Sequence, residues 1–393
     1  MPLTQSAPPF RHWMLREIFE QPETLAATLH QYVADGQFRS ETCSGAIGWL
    51  ERIRTRIVIA ASGSSRHAGL VAQILLQELS DISVDVEYAS EYSLPSPSIV
   101  APSTVSSSTR SRKTMDPAAV LVISQSGETA DTLAALRKAN LAGSETLAIT
   151  NVDQSTMNRE AAVAFPTVAG RERAVPATKS FTAQLLNLYL LALMGAVARG
   201  VMDAQELKIR LAEIASLPAL IAAQLKPWEE SIQRIADRYR SAGNFLFLGR
   251  GIHYPIAVEG ALKLKESAYL HAEGYPSGEL KHGPNALVAE GTPLVMMATV
   301  DRGHPESVQR YEKVLQLMRD MREQGADILA IANTGDAAVS ELATHVVSVE
   351  ETREPLLAIC ETIPLQLFSY AMAVNHGIDV DNPRNLTKAV LAE

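Results

Sequence analysis

Cysteine is nearly missing from this chain. Cys43 and Cys360 are its two thiols. They fit neither a disulfide framework nor a metal-binding spacing, which suits a reducing, cytoplasmic setting. Clusters of Lys and Arg are missing too. The 35 basic residues are outnumbered by 44 acidic ones, for a net charge of −9. Such a chain is a poor match for nucleic acid or an anionic membrane. No basic-then-apolar signal sequence opens the chain. The most apolar run, Leu185 to Val197, is too short to cross a bilayer and reads as a buried helix. The Gly-Lys-Ser/Thr of a Walker A loop is absent, as is a Rossmann fingerprint. No ligand cluster for a metal stands out, and no cofactor is expected.

What is present is length and apolar content. A chain of 393 residues that is 47% hydrophobic supports a large core and more than one domain. Short β-branched runs alternate with helical stretches, which argues for parallel sheets with helices on both faces. The expected strands are Arg56 to Ala61, Val84 to Tyr88, Ala118 to Ile123, Thr146 to Thr150 and an edge strand from Val163 to Val168. A second series covers Phe245 to Leu248, Pro293 to Thr299, Ile328 to Ala332 and His345 to Val349. Residues 1–50 read as helices, with one from Pro22 to Asp35. A helix is expected to start near Arg66, after Ser62 to Ser65. Residues 200–240 read as three helices broken at Pro218 and Pro227. Pro95 to Lys113 is Pro/Ser/Thr-rich and reads as a long surface loop. The expected division is a helical segment (1–50), a first domain (51–200), a helical linker (201–240), a second domain (241–378) and a tail (379–393).

Two strand-to-helix loops stand out. Ser124-Gln-Ser-Gly-Glu-Thr129 brings three hydroxyls and a glycine to a helix start, and Ser62-Gly-Ser-Ser65 does the same upstream. Hydroxyls and free backbone N–H groups at a helix N-terminus suit a phosphate dianion. Thr178 and Lys179 open the long apolar helix and could also face an anion. The second half carries a different set. Lys263 and Glu266 are three apart, so they share a helix face. Spacing alone makes such a pair a solvated ion pair. The loop after it, held by Pro276, Gly278, Gly283 and Pro284, presents His282, and a histidine beside a Lys/Glu pair is an acid–base set for neutral pH. A shift of 188 positions superimposes Gly63 on Gly251, Glu78 on Glu266 and Glu91 on Glu279, a weak internal repeat.

Five motifs together resemble the sugar-isomerase (SIS) superfamily, and within it the isomerase half of glucosamine-6-phosphate synthases. They are Ser124 to Leu133, Phe247-Leu-Gly-Arg-Gly251, Glu259 to Glu266, Gly278-Glu-Leu-Lys-His-Gly-Pro284 and Asp379-Val-Asp-Asn-Pro-Arg-Asn-Leu-Thr-Lys388. The resemblance covers nearly the whole chain. It implies two tandem α/β SIS domains, each a parallel sheet flanked by helices in three layers. It further implies that Ser65, Ser124, Gln125, Ser126 and Thr129 hold the phosphate of a hexose 6-phosphate. Glu266 would move a proton between C1 and C2, with Lys263 supporting the developing charge. His282 would open the sugar ring from the neighbouring subunit of a homodimer, and Lys388 would fold over the site and form an imine.

The chain departs from that pattern in two places that matter. Val175 and Ala177 stand in the sugar-contacting loop, where the synthases have a serine at the position of Ala177. Met1-Pro2 opens the chain, so the glutaminase with its N-terminal cysteine nucleophile is expected to be missing. The expected reaction interconverts glucosamine 6-phosphate with fructose 6-phosphate and ammonia. The alternatives are the isomerase subunit of a two-chain synthase, a fructosamine-6-phosphate deglycase and a non-catalytic sugar-phosphate sensor. A sensor would need the phosphate loops but not Lys263, Glu266, His282 and Lys388.

Overall fold

The computed structural model describes residues 8–94 and 117–388. Pro95 to Lys113, expected as a surface loop, lies outside the described residues. The chain opens with α1 (Trp13–Phe19) and α2 (Gln21–Tyr32), a two-residue hairpin of β1 (Val33–Ala34) and β2 (Gln37–Phe38), and α3 (Ser40–Arg52). The helix expected to reach Asp35 stops at Tyr32. Asp35 and Gly36 take φ of 51° and 70°, left-handed values that close a tight hairpin and cannot continue a helix.

The first sheet follows: β3 (Ile57–Ala61), α4 (Gly63–Ser80), β4 (Val84–Tyr88), α5 (Ala89–Ser93), β5 (Ala119–Ser124), α6 (Ala130–Leu141), β6 (Thr146–Thr150), α7 (Thr156–Glu160), β7 (Val163–Ala164) and α8 (Lys179–Ala198). Every residue of β3, β5 and β6 is buried, which is why these runs lack polar alternation. The edge strand expected to Val168 pairs over Val163–Ala164 alone.

Residues 204–238 form one helix, α9 (Ala204–Arg238), where three were expected. Each internal proline costs about 3 kcal/mol in lost hydrogen bonding and ring clash. Leu217, Ile221, Leu225 and Trp228 flank those prolines and are all buried. Each such side chain contributes ~1.5–3 kcal/mol, enough to keep the helix continuous.

The second sheet comprises β8 (Asn244–Gly249), α10 (His253–Ala268), β9 (His271–Pro276), β10 (Pro293–Ala298), α11 (Pro305–Glu323), β11 (Asp327–Asn333), α12 (Ala337–Leu342), β12 (His345–Val349) and α13 (Glu354–Asn375). Strand β9 is not among the expected strands, and only its last residue, Pro276, belongs to the expected loop. It lies at the sheet edge, where Pro276 removes no ladder bond.

Both sheets are wholly parallel, in the orders β4-β3-β5-β6-β7 and β9-β8-β10-β11-β12. These are the same order, so the weak sequence repeat corresponds to a repeated architecture. Helices α8 and α13 are apolar and long enough to cross a membrane, but 89% and 94% of their most apolar windows lie inside the protein. They are core helices, one for each sheet. In each sheet the strand order reverses between its first and third strands, and crevices open at such switch points.

Candidate active site

A cavity of about 260 Å³ lies at the switch point of the first sheet. Strand β3 ends there and passes into Ser62 and α4, and β5 ends there and passes into Gln125 and α6. Two helix N-termini therefore point at one space. Helix α4 starts at Gly63, three residues before the expected Arg66, so the whole Ser62–Ser65 segment belongs to that helix start. The loop after β5 turns at Gly127, with φ of +68°. A Cβ there would lie 2.3 Å from Ser155 Oγ, so the turn requires glycine.

The hydroxyls are oriented before any ligand arrives. Ser126 Oγ accepts from Glu128 N at 3.1 Å. Ser65 Oγ accepts from Gln184 Nε2 at 3.1 Å. A hydroxyl that accepts from within the protein keeps its own proton free to donate. Ser124 Oγ accepts from Gly127 N and lies 3.0 Å from Thr129 Oγ1.

The opposite wall comes from α10. Lys263 and Glu266 line the same cavity. They are not the solvated pair their spacing suggested: the Lys263 side chain is 1% exposed. Its Nζ donates to Glu266 Oε2 at 2.5 Å and lies 3.5 Å from Glu259 Oε1. Burial works against the ammonium, but Glu266 and Glu259 outweigh it and raise its pKa above the ordinary lysine value. Lys263 is thus a fixed cation beside a partly accessible carboxylate.

The tail closes the third side. Leu386, Thr387 and Lys388 line the cavity, with Val175 and Ala177 beside them. Asp381 sets the tail's path by capping α1: it accepts from Trp13 N at 2.9 Å and Met14 N at 2.8 Å, and its own carbonyl accepts from Val175 N at 3.0 Å. Lys388 Nζ donates to Glu172 Oε2 at 2.6 Å and to Ala174 O at 2.7 Å. Glu172 in turn accepts from Thr178 N, Ser180 N and Ser180 Oγ at the start of α8. The anion at that helix start is therefore the protein's own Glu172, and Lys179 pairs with Glu20. On the other side of the loop, Glu17 accepts from Arg173 N and Ala174 N. Burial, reinforced by the nearby Glu172 charge, pushes Glu17 up to about 8.

One cavity thus gathers Ser65, Ser124, Gln125, Ser126, Thr129, Val175, Ala177, Lys263, Glu266 and Lys388. His282 is not among its lining residues. It sits exposed on the short 3-10 turn Leu280–His282. Sequence reasoning missed Glu172, Glu17 and His67, none of which carries a motif signal. It also missed the part played by Glu259, whose four-residue spacing from Lys263 was visible. Chemically, the arrangement offers hydroxyl donors and helix N-termini to an anion, and a carboxylate with a fixed cation facing them.

The fold and this cavity define an α/β protein with a hydroxyl-lined crevice at a strand switch point, faced by a lysine and a glutamate. The SIS domain model matches residues 110–194 and 238–376, and the chain belongs to that family. More narrowly, it is 41% identical over 387 residues to a glutamine–fructose-6-phosphate aminotransferase (isomerizing) of Chlorobaculum tepidum, covering 98% of this chain and 59% of that protein. A Bordetella parapertussis protein of the same name is 42% identical over 392 residues. The chain therefore spans about three fifths of the length of these curated relatives, 59% in both cases. Among solved structures, the C-terminal domain of glucosamine-fructose-6-phosphate aminotransferase from Francisella tularensis matches with a TM-score of 0.83 at 34% identity, covering 96% of this chain and 100% of that one. A glucosamine-6-phosphate deaminase from Thermotoga maritima shares the fold, with a TM-score of 0.66 at 21% identity over 97% of this chain and 100% of that one.

Proposed function

We propose that this chain interconverts glucosamine 6-phosphate with fructose 6-phosphate and ammonia, by proton transfer between C1 and C2. The observation that carries the reading is the meeting of two unlike sets in one cavity: the Ser124–Thr129 loop from one half faces Glu266 and Lys263 from the other. The reading is supported by relatives whose names join fructose 6-phosphate to amino transfer.

On this reading the phosphate sits against Ser65, Ser124, Gln125, Ser126 and Thr129, where two helix N-termini favour a dianion. Val175 and Ala177 flank the sugar. His282 of a second copy in a homodimer opens the ring. Glu266 takes the proton from C2 of the open-chain amino sugar, giving an enolamine, and returns it to C1. One carboxylate can serve both carbons because they are adjacent. Lys263 stabilises negative charge as it develops on O1. The product is the C2 imine of fructose 6-phosphate. Water adds to that carbon, ammonia leaves, and the ketose remains. Lys388 covers the site and can exchange with ammonia at C2 as an imine of its own.

The deciding measurement is ammonia release from glucosamine 6-phosphate by the purified chain, with Glu266→Gln as control. A chain with Glu266 intact that yields neither ammonia nor fructose 6-phosphate would sink the proposal.

A further inference from the structure

Behind the cavity a buried chain of polar contacts crosses from one half of the protein to the other. Ser64 and His67 lie on α4. Glu259 and Lys263 lie on α10. The Glu259 side chain is 2% exposed and His67 is 9% exposed as a residue. Glu259 Oε1 accepts from Ser64 Oγ at 2.8 Å, and Glu259 Oε2 pairs with His67 Nδ1 at 2.7 Å. Lys263 Nζ is farther off, at 3.5 Å from Oε1, and makes its short bond to Glu266.

Glu259 is ionised. Burial opposes its charge, and Lys263, His67 and Ser64 together more than reverse that, holding it below the ordinary glutamate range. An ionised carboxylate accepts and never donates, so the proton between the pair is on His67 Nδ1. Two short hydrogen bonds, one per oxygen, satisfy Glu259 without a short bond from Lys263, whose charge acts on it from 3.5 Å.

The distances then give His67 a task. Were its bond lost, Oε2 would be a buried charged oxygen with no donor, a costly state that the nearest mobile donor would relieve. That donor is Lys263, which already lies 3.5 Å from the same carboxylate. Its ammonium would move toward Glu259 and away from Glu266. We infer that His67 is a positioning residue: by occupying Glu259 from the other half of the protein, it keeps Lys263 on Glu266 and aimed into the cavity. The inference rests on the reading of Glu266 as the base.

The test compares His67→Ala with His67→Asn in the full chain. The side-chain Nδ2 of asparagine falls near the place of the histidine Nδ1 and can donate to Glu259. His67→Ala is expected to lower kcat for ammonia release by about tenfold to a hundredfold, the scale seen when an outer partner of a reacting group is removed. KM for glucosamine 6-phosphate should stay within roughly threefold, because the phosphate loops are untouched. Thermal protection by inorganic phosphate should be retained. His67→Asn should restore most of kcat. Unchanged kcat in His67→Ala overturns the inference. So does a loss that appears chiefly in KM, or a loss together with misfolding that His67→Asn leaves uncorrected. Wild-type chain without turnover would sink the functional reading and this inference with it, whereas active wild type with an equally active His67→Ala sinks this inference alone.

Discussion

Lys388, near the end of the described tail, and Glu172, in the loop before α8, are joined by a 2.6 Å bond whose carboxylate is fully buried. Burial would favour the neutral acid, yet the Lys388 ammonium, the Thr178 N–H and the Ser180 hydroxyl hold Glu172 below the ordinary glutamate range. The pair fixes where Lys388 lies beside the cavity. Glu172→Gln keeps an oxygen for the α8 N-terminus and removes the charge that Lys388 faces. Leaving buried donors poorly matched costs ~1–3 kcal/mol, to be read by urea unfolding. Lys388→Ala should cost at least as much, because it takes away the cation that does most to hold the buried Glu172 charge. It should also abolish borohydride trapping of fructose 6-phosphate on the chain. Trapping that survives in Lys388→Ala would assign the imine to another amine.

Binding and chemistry should separate by which wall is altered. On the proposed reading Ser126→Ala removes a donor to the phosphate, a bond to a charged group worth ~1.5–3 kcal/mol, so fructose 6-phosphate should bind about tenfold to a hundredfold more weakly by calorimetry. Glu266→Gln should bind the same ligand nearly normally and lose about a hundredfold to ten-thousandfold in turnover. Equal loss of binding in both would contradict the division of the cavity into a phosphate wall and an acid–base wall.

That Ser124–Thr129 forms a hydroxyl-rich turn at a helix start was legible because its signal is local. Strand, hydroxyl-rich turn and helix are contiguous in Ala119 to Leu141, and a buried strand announces itself by its apolar run. The Lys263–Glu266 pair was legible as a shared helix face but not as a buried one, since spacing carries no information on what packs above it. The Glu172–Lys388 and His67–Glu259 pairs were not legible at all, because the members of each lie 216 and 192 positions apart. The prolines misled at α9 for a related reason. Local rules end a helix at Pro218 and Pro227, whereas the burial that overrides them is against distant elements, and the Trp228 indole N–H also donates to the distant carbonyl of Ser348.

The second sheet has the same strand order, but its switch point holds the protein's own charges. His253 lies 2.9 Å from Glu361 and 3.2 Å from Glu354, with Arg310 also on Glu354. Burial lowers the His253 pKa, but Glu361 and Glu354 outweigh it and raise it to about 10. Burial likewise works against the Glu354 charge, and His253 and Arg310 take it down to about 2. A histidine raised in the folded state stabilises fully below its unfolded value of 6.5 and loses that contribution as pH climbs toward about 10. A glutamate depressed in the folded state stabilises above 4.5 and loses that as pH falls toward about 2. The thermal midpoint should therefore decline between pH 6.5 and 10, and His253→Gln should flatten that decline. A variant with the full alkaline slope would place its origin elsewhere.

His282 poses the remaining problem, since it is exposed and away from the cavity that holds Glu266. If it acts on a second copy's site, each active centre of a two-fold dimer takes Glu266 from one chain and His282 from the other. Chains carrying His282→Ala and chains carrying Glu266→Gln would each be inactive as homodimers. In a mixed dimer, one centre combines both defects and the other combines neither. Random exchange makes half of the dimers mixed, so about a quarter of all centres should recover activity. Recovery requires exchange, which native mass spectrometry of a size-tagged chain can verify in the same sample. Exchange without recovered ammonia release would mean that each chain completes its own site, and that the Leu280–His282 turn must then move to reach it.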